Sequence, residues 1–326
     1  MKRKKQFSLD KKDRMLLYLL DVNGRMSYSK LAQRTNLSKQ LAKYRVERLQ
    51  NEGFIKGYFT MIDTSCLGFT TFRVYLKLKN ITSEKKEEFI AYLKKEKSFW
   101  AVILIAGRWD IALGISVEDI YKFYALWETL LTTHLVNIKD YKICVYSPIY
   151  HYTKAYIIEK PDESSIRILG GQGKTDFDQT DIKILIALSK NARLSLLEIA
   201  KNANISAELA SYRIKKLQKK QIIQGYRAMI DVNKLGYEFY KAEIRLGSYD
   251  KIKSILHYCH QHPNIYQVDK TIGGETLEVE FHVKSLKHMI LIIEEMSKTF
   301  PNSIESFDYI TILSEEKTTY MPDINE

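Results

Sequence analysis

Two stretches, "LSKQLAKYRVERLQNEG" from Leu37 to Gly53 and "ISAELASYRIKKLQKKQ" from Ile205 to Gln221, each gather polar side chains behind a serine. The first sets Lys39, Gln40, Lys43 and Tyr44 within two helical turns and adds Arg45 and Arg48. An ammonium group can donate to guanine, a carboxamide pairs bidentately with adenine, and guanidinium groups hold phosphate. The second offers Glu208, Ser211, Tyr212 and Arg213, then Lys215, Lys216, Lys219 and Lys220. Its carboxylate repels phosphate but accepts from cytosine N4. This is the chemistry of reading base edges and gripping a polyanion. Bond-breaking chemistry has no comparable signature: the sequence shows no nucleophilic triad, phosphate loop or catalytic carboxylate pair.

Something must present those side chains, and the chain writes that something twice. Residues 9–68 align without gaps to residues 177–236, with about two dozen identities in roughly sixty positions. Asp10 and Asp178 stand at helix N-caps, each with a second aspartate three residues on, near the positive end of the helix dipole. Leu16, Leu17 and Leu20 recur at helical spacing, as do Ile184, Leu185 and Leu188. Asn23 or Asn191 ends that helix, and Ser27 or Ser195 begins the next, with Glu198 in capping-box spacing.

Ala32 and Ala200 supply the small residue that crossing helices need, and Asn36 and Asn204 tolerate a left-handed turn. Ser38 and Ser206 then cap a third helix, whose Leu41, Leu49, Leu209 and Leu217 are expected to face the core. "FIKGYFTMID" and "IIQGYRAMID" alternate as a short strand or wing. The pattern is a winged helix-turn-helix, in which the N-terminal turn of the third helix meets base edges. Ser38, Lys39, Gln40, Lys43, Tyr44, Arg45 and Arg48 are the DNA-binding candidates of the first copy, with an ion pair inside the bundle as the alternative for Arg45. Ser206, Glu208, Ser211, Tyr212, Arg213 and Lys216 are those of the second.

Charge supports this reading. The net charge is +12, and residues 1–80 alone hold 18 basic and 6 acidic side chains, whereas residues 248–326 hold 7 and 13. A cationic first module facing a polyanion explains that gradient. The arm Lys2-Arg3-Lys4-Lys5 would add phosphate contacts. No apolar run reaches membrane-span length and the basic start lacks an apolar stretch behind it, so a cytoplasmic protein is expected, with reduced thiols at Cys66, Cys144 and Cys259.

After each helix-turn-helix comes a second pattern. "TTFRVYLKLK", a helix over 83–97, the hairpin "FWAVILIAG"/"WDIALGISV", a helix over 118–132 and "NIKDYKICVY" read as βαββαβ, and the second copy repeats the order. Such a unit stacks two helices on one face of an antiparallel sheet and leaves the other face to find a partner. The expected division is 1–67, 68–149, a polar linker 150–176, 177–235 and 236–326, in an α+β fold.

The Asp-x-x-Asp start, the "LA…N-L-S…YR-ERLQ-EG-I-GY" register, "MID…LG" and "GRWDIAL" resemble the Lrp/AsnC, or feast/famine, transcription regulators. The resemblance runs over nearly the whole chain, twice, and is more specific in the helix-turn-helix halves. It implies a winged helix-turn-helix followed by a ferredoxin-like effector domain in each copy, double-stranded DNA as partner, and an amino acid or other small metabolite as effector. Family members usually hold one copy and dimerise through the free sheet face. The resemblance therefore implies an intrachain pseudo-dimer, with further homo-oligomers open. It also places the ligand-sensing turn at "GRWD", with Gly107 and Asp110 as effector-binding residues. The second copy has Thr276 where Asp110 stands.

Other motifs carry less. "GGQGKTD" lacks the first glycine of a phosphate loop, since position 168 is Ile, and no strand is expected to lead into it. "HYCHQH" crowds His257, Cys259, His260 and His262 without a second ligand pair, so neither metal nor cofactor is expected. The siroheme decarboxylases share the resembled fold and would make an enzyme the alternative. The strands that would form such a site offer only His282. A non-DNA-binding assembly protein is the third possibility, which the basic first module opposes. The sequence thus points to a DNA-binding transcription regulator rather than an enzyme.

Overall fold

The computed structural model describes residues 8–160 and 166–322. The Lys2-Arg3-Lys4-Lys5 arm lies outside the described residues. Asp10 opens α1 (Lys11–Val22) with a reciprocal cap, its side chain accepting from Asp13 N while the Asp13 side chain accepts from Asp10 N. Ser27 caps α2 (Tyr28–Thr35), and Asn36 turns the chain with φ 51° and ψ 53°. Ser38 Oγ then accepts from Leu41 N at 3.2 Å to start α3 (Lys39–Asn51), which leads into β1 (Ile55–Ile62). The expected βαββαβ unit follows as β2 (Thr70–Leu78), α4 (Ser83–Lys95), β3 (Phe99–Gly107), β4 (Ile111–Val117), α5 (Ile120–His134) and β5 (Ile138–His151).

A three-residue strand, β6 (Arg167–Leu169), pairs with the end of β5. The second copy then repeats the plan. Its helix-turn-helix is α6 (Gln179–Lys190), α7 (Leu196–Ala203) and α8 (Ala207–Lys219), with Asn204 at φ 56° in the turn. It continues through β7 (Ile223–Ile230), β8 (Glu238–Leu246), α9 (Ile252–Gln261), β9 (Ile265–Ile272), β10 (Leu277–Val283), α10 (Leu286–Thr299) and β11 (Ile304–Thr318).

The strands read as wings do not stand free. β1 and β7 pair antiparallel with each other, from Ile55 opposite Ile230 to Ile62 opposite Ile223. Reciprocal backbone bonds reinforce the ribbon. Gly24 N donates to Tyr226 O at 2.8 Å and Ala192 N to Tyr58 O at 3.0 Å, while Asp63 N reaches Ile222 O and Asp231 N reaches Phe54 O. Each pair maps onto the other under the internal repeat, so the copies are related by a pseudo-two-fold. Both helix-turn-helix units accordingly share one apolar core, in which Leu16, Leu20, Val46 and Leu49 join Ile184, Leu188, Ile214 and Leu217.

The two βαββαβ sheets meet edge to edge as well. β3 pairs with β11, β5 with β9, and β2 with β5, which closes the ring β2-β4-β3-β11-β8-β10-β9-β5. The result is an eight-stranded barrel built from both copies. Its outer faces carry the helices: Phe72, Val74 and Leu76 pack with Phe89 and Trp127, and Ala242, Ile244 and Phe281 pack with Met289 and Ile293. An eight-stranded ring leaves an interior wide enough for side chains or one small ligand.

Residues 150–176 correct the expectation of a polar spacer. Tyr152, Ala155, Tyr156 and Ile157 are buried, and Lys154 joins a sealed ion cluster with Asp21 and Arg227. Burial alone would raise the Asp21 carboxyl, but the charges of Arg227 and Lys154 overcome it and hold the group well below the carboxylate range. The linker stitches the copies together. "GGQGKTD" is preceded by a strand after all, β6, yet Gly170 N already donates to Asp63 Oδ1 at 3.0 Å and no helix begins at the glycines. An amide committed to a carboxylate cannot cradle phosphate.

Candidate nucleic-acid interface

The buried stripe of α3 is Ala42, Val46 and Leu49, and that of α8 is Ala210, Ile214 and Leu217. Leu41 and Leu209 were expected inside and are not: they are 40% and 39% exposed. The alanine one position on, Ala42 or Ala210, takes the core place. Each leucine is thereby turned outward beside the polar residues, an apolar contact suited to a thymine methyl.

Lys39, Gln40, Lys43 and Tyr44 lie together on the exposed face of α3, with Tyr44 at 59% exposure. Lys43 keeps a loose contact with Glu47 at 3.7 Å, between exposed groups, which costs little to break. Ser38 Oγ accepts from Leu41 N in the helix cap, which leaves its O–H, beside the backbone at the helix start, to donate to phosphate. On α8, Glu208 and Tyr212 are exposed and Ser211 half-buried, while Ser206 caps the helix through Leu209 N at 3.2 Å. Hydrogen bonds from its own backbone amide and from Ser206 lower the Glu208 carboxyl, which stays ionised at the tip of α8. Lys216 is exposed further along.

The arginines do something else. Arg45 Nη1 donates to Asp10 Oδ2 at 2.6 Å and to Asp13 Oδ1 at 2.9 Å, and Arg48 Nη2 bonds both oxygens of Asp13 at 3.0 Å. Arg213 pairs likewise with Asp178 and Asp181. Asp13 is sealed beneath them at 1% exposure. Arg45 and Arg48, expected to hold phosphate, and Arg213 with them pin the third helix to the cap of the first.

Residues 9–56 and 177–224 each match the family model described as winged helix-turn-helix DNA-binding. The leucine-responsive regulatory protein of Salmonella typhimurium is 33% identical over 135 residues, 40% of this chain and 80% of that protein. The proline dehydrogenase transcriptional activator of Rhizobium radiobacter is 33% identical over 116 residues, 35% of this chain and 74% of that one. The chain belongs to the Lrp/AsnC family of DNA-binding transcription regulators. Over its full length it shares a fold with the siroheme decarboxylase NirDL, at a TM-score of 0.65 and 14% identity, covering 97% of this chain and 95% of that one. The tandem arrangement therefore has a solved counterpart. The Lrp/AsnC resemblance and the tandem α+β fold read from the sequence are both borne out.

The turn expected to sense an effector also has a part in the fold. Asp110 accepts from Lys77 Nζ at 2.9 Å and from Leu78 N at 2.8 Å, so its carboxylate already faces one ammonium group. Gly107 has φ 127°, and a Cβ there would sit 3.0 Å from Tyr309 O, against the β3–β11 seam. Neither residue lines the barrel cavity. Of the histidine cluster, Cys259 is buried, its thiol pushed up to about 12 by burial, while His257 is exposed.

Sequence reasoning missed the barrel interior. A cavity of about 710 Å³ lies between the barrel strands and the β1–β7 ribbon. At its wall Lys241 Nζ is held by Asp269, Glu278 and Glu280 at 3.1, 3.0 and 3.0 Å. Glu278 also accepts from Tyr75 at 2.6 Å and from Tyr146. Burial pushes Asp269 up to about 6, opposed by Lys241 and abetted by Glu280 and Glu278. His282 lines this cavity as expected for its strand, and so does His151, because β5 runs on past the residues read as its end. Burial, with the nearby Arg227 and Lys154 charges, holds both imidazoles well below their usual range, hence neutral. The signal was there: charges at alternate positions in "RVYLKL" and "LEVEFHV". That face was read only as one left to find a partner, not as the lining of a cavity.

Proposed function

We propose that this chain is a sequence-specific transcription regulator that reads one asymmetric operator with two unlike helices and responds to a small metabolite. The observation that carries it is the contrast between two homologous, outward-facing tips: Lys39, Gln40 and Lys43 on α3 against Ala207, Glu208 and Ser211 on α8. Lys39 and Lys43 donate to guanine, Gln40 to adenine, and Leu41 meets a thymine methyl. Glu208 accepts from cytosine, and Tyr44, Tyr212 and Lys216 border the phosphates. Ser38 and Ser206 offer backbone amides at the helix starts. Arg45, Arg48 and Arg213 orient the helices from behind. Selection of bound DNA from a random pool at moderate salt tests this reading. It should return two different half-sites. A perfect palindrome, or no duplex binding in dilute buffer, would overturn it.

A second reading, catalysis on a tetrapyrrole, draws support from the full-length likeness to a siroheme decarboxylase and from the size of the cavity. The cavity wall speaks against it. Its lysines, Lys56, Lys154, Lys241 and Lys317, are already bonded to carboxylates or a backbone carbonyl, and its imidazoles are neutral, so the lining sets one uncommitted guanidinium, Arg73, against the several charges of a polycarboxylate macrocycle. Incubation with iron-uroporphyrin is expected to leave its Soret band unchanged.

A further inference from the structure

Arg73 stands on the inner side of β2, 5% exposed, at the wall of the barrel cavity. Its Nε and Nη1 have no hydrogen-bond partner. The guanidinium lies 5.4 Å from the Trp100 ring and 5.2 Å from that of Tyr146, so aromatic faces hold it in place without satisfying its donors. Asp269 and Glu280 act on it through space, but both are already bonded to Lys241. The other cations that line the cavity are engaged: Lys56 with Asp231, Lys154 with Asp21, Lys317 with Glu96 O. A buried guanidinium with idle donors is costly, and it is repaid when a carboxylate or sulfonate arrives.

The rest of the wall says what the anion is attached to. Ile103, Ile105, Ile310 and Ile312 supply an apolar side, and Tyr75 and Trp100 a flat one. The volume exceeds what a small aliphatic acid fills and falls in the range of drug-sized ligands. We propose that the barrel interior binds one small organic acid with an apolar, ring-bearing body, its anionic group held by Arg73. The ligand would also touch Phe59, Met61 and Met229 of the β1–β7 ribbon, which joins the two helix-turn-helix units. Occupancy would therefore bear on how α3 and α8 are spaced. Only that last step rests on the regulator reading; the binding site does not.

The full chain titrated with 1-anilinonaphthalene-8-sulfonate, an aromatic organic anion, tests the site. The expected result is saturable binding of one probe per chain. Arg73→Met, which keeps the bulk and removes the charge, should weaken it at least tenfold while leaving the thermal midpoint unchanged or raised. Ile312→Trp, which fills the cavity from the apolar side, should abolish it. Non-saturable fluorescence, or binding that both variants keep, would mean surface adsorption and overturn the assignment. A gel-shift with the selected DNA, with and without probe, is read separately. If the probe binds as described and no DNA does, the regulator reading fails and the barrel site stands.

Discussion

Asp21, Arg227 and Lys154 hold no place in the repeat, since Ser189 and Phe59 stand at the equivalent positions of the other copy. They tie α1 of the first copy to β7 of the second and to the connecting segment, with Asp21 Oδ2 2.5 Å from Arg227 and 2.7 Å from Lys154 N. Removing one partner of a sealed pair strands the other, at about 3–5 kcal/mol. Asp21→Asn should lower the denaturant midpoint accordingly. The sign with pH follows: the Asp21 carboxyl is depressed in the fold, so its contribution is present above about pH 4 and is lost as acid titrates it. Asp269 runs the other way. Its carboxyl is raised to about 6, so the folded state holds the extra proton and stability falls, on this group's account, as pH rises from about 4 to about 6. Asp269→Asn should lack that component in unfolding curves across the same interval. At the interface, Lys39→Ala with Lys43→Ala should weaken specific DNA binding tenfold or more without moving the thermal midpoint, because neither side chain holds the fold. Asn36 and Ser38 were legible one by one, since turn and cap chemistry is local. Leu41 was not: whether a leucine or the neighbouring alanine faces inward is decided by a helix crossing that lies in no single element.

Helix ends and strand order could be read from the sequence almost throughout, because caps, period and turn residues agree. What strands do next could not. Alternation tells which residues share a face but not whether that face meets water, another sheet or a closed interior. Arg73, Lys241, Glu278 and Glu280 fit an open sheet's wet side, and only the β3–β11 and β5–β9 seams reveal them as lining. The same limit hid the fate of β1 and β7, whose reading as wings was correct in outline and silent on their pairing. That pairing has a consequence at this scale. Met229→Pro removes a ladder donor from β7, opposite Gly57, and should loosen the ribbon. Each helix-turn-helix should survive as a local fold by circular dichroism, while affinity for a full operator drops towards that of a single half-site. On α8, Glu208→Ala should shift the base preference of one half-site and leave the other alone.

Taken whole, the molecule has two copies that share an apolar core, a ribbon and a barrel, with residues 152–157 of the connecting segment buried between them. So interlocked a body should unfold in one transition rather than two, and coincident curves by tyrosine fluorescence and far-ultraviolet circular dichroism would establish it. DNA affinity should fall steeply with added salt as the basic first module gives back its displaced ions. The covalent pairing reaches further than stability. Regulators assembled from separate subunits must first find one another, so promoter occupancy rises with more than the first power of their abundance and related subunits can exchange. Here both helix-turn-helix units leave the ribosome on one thread, each supplying the other at a fixed effective concentration. The dose response at the promoter should be linear at low abundance, and a cell rich in single-copy relatives should be unable to poison it by forming hybrids.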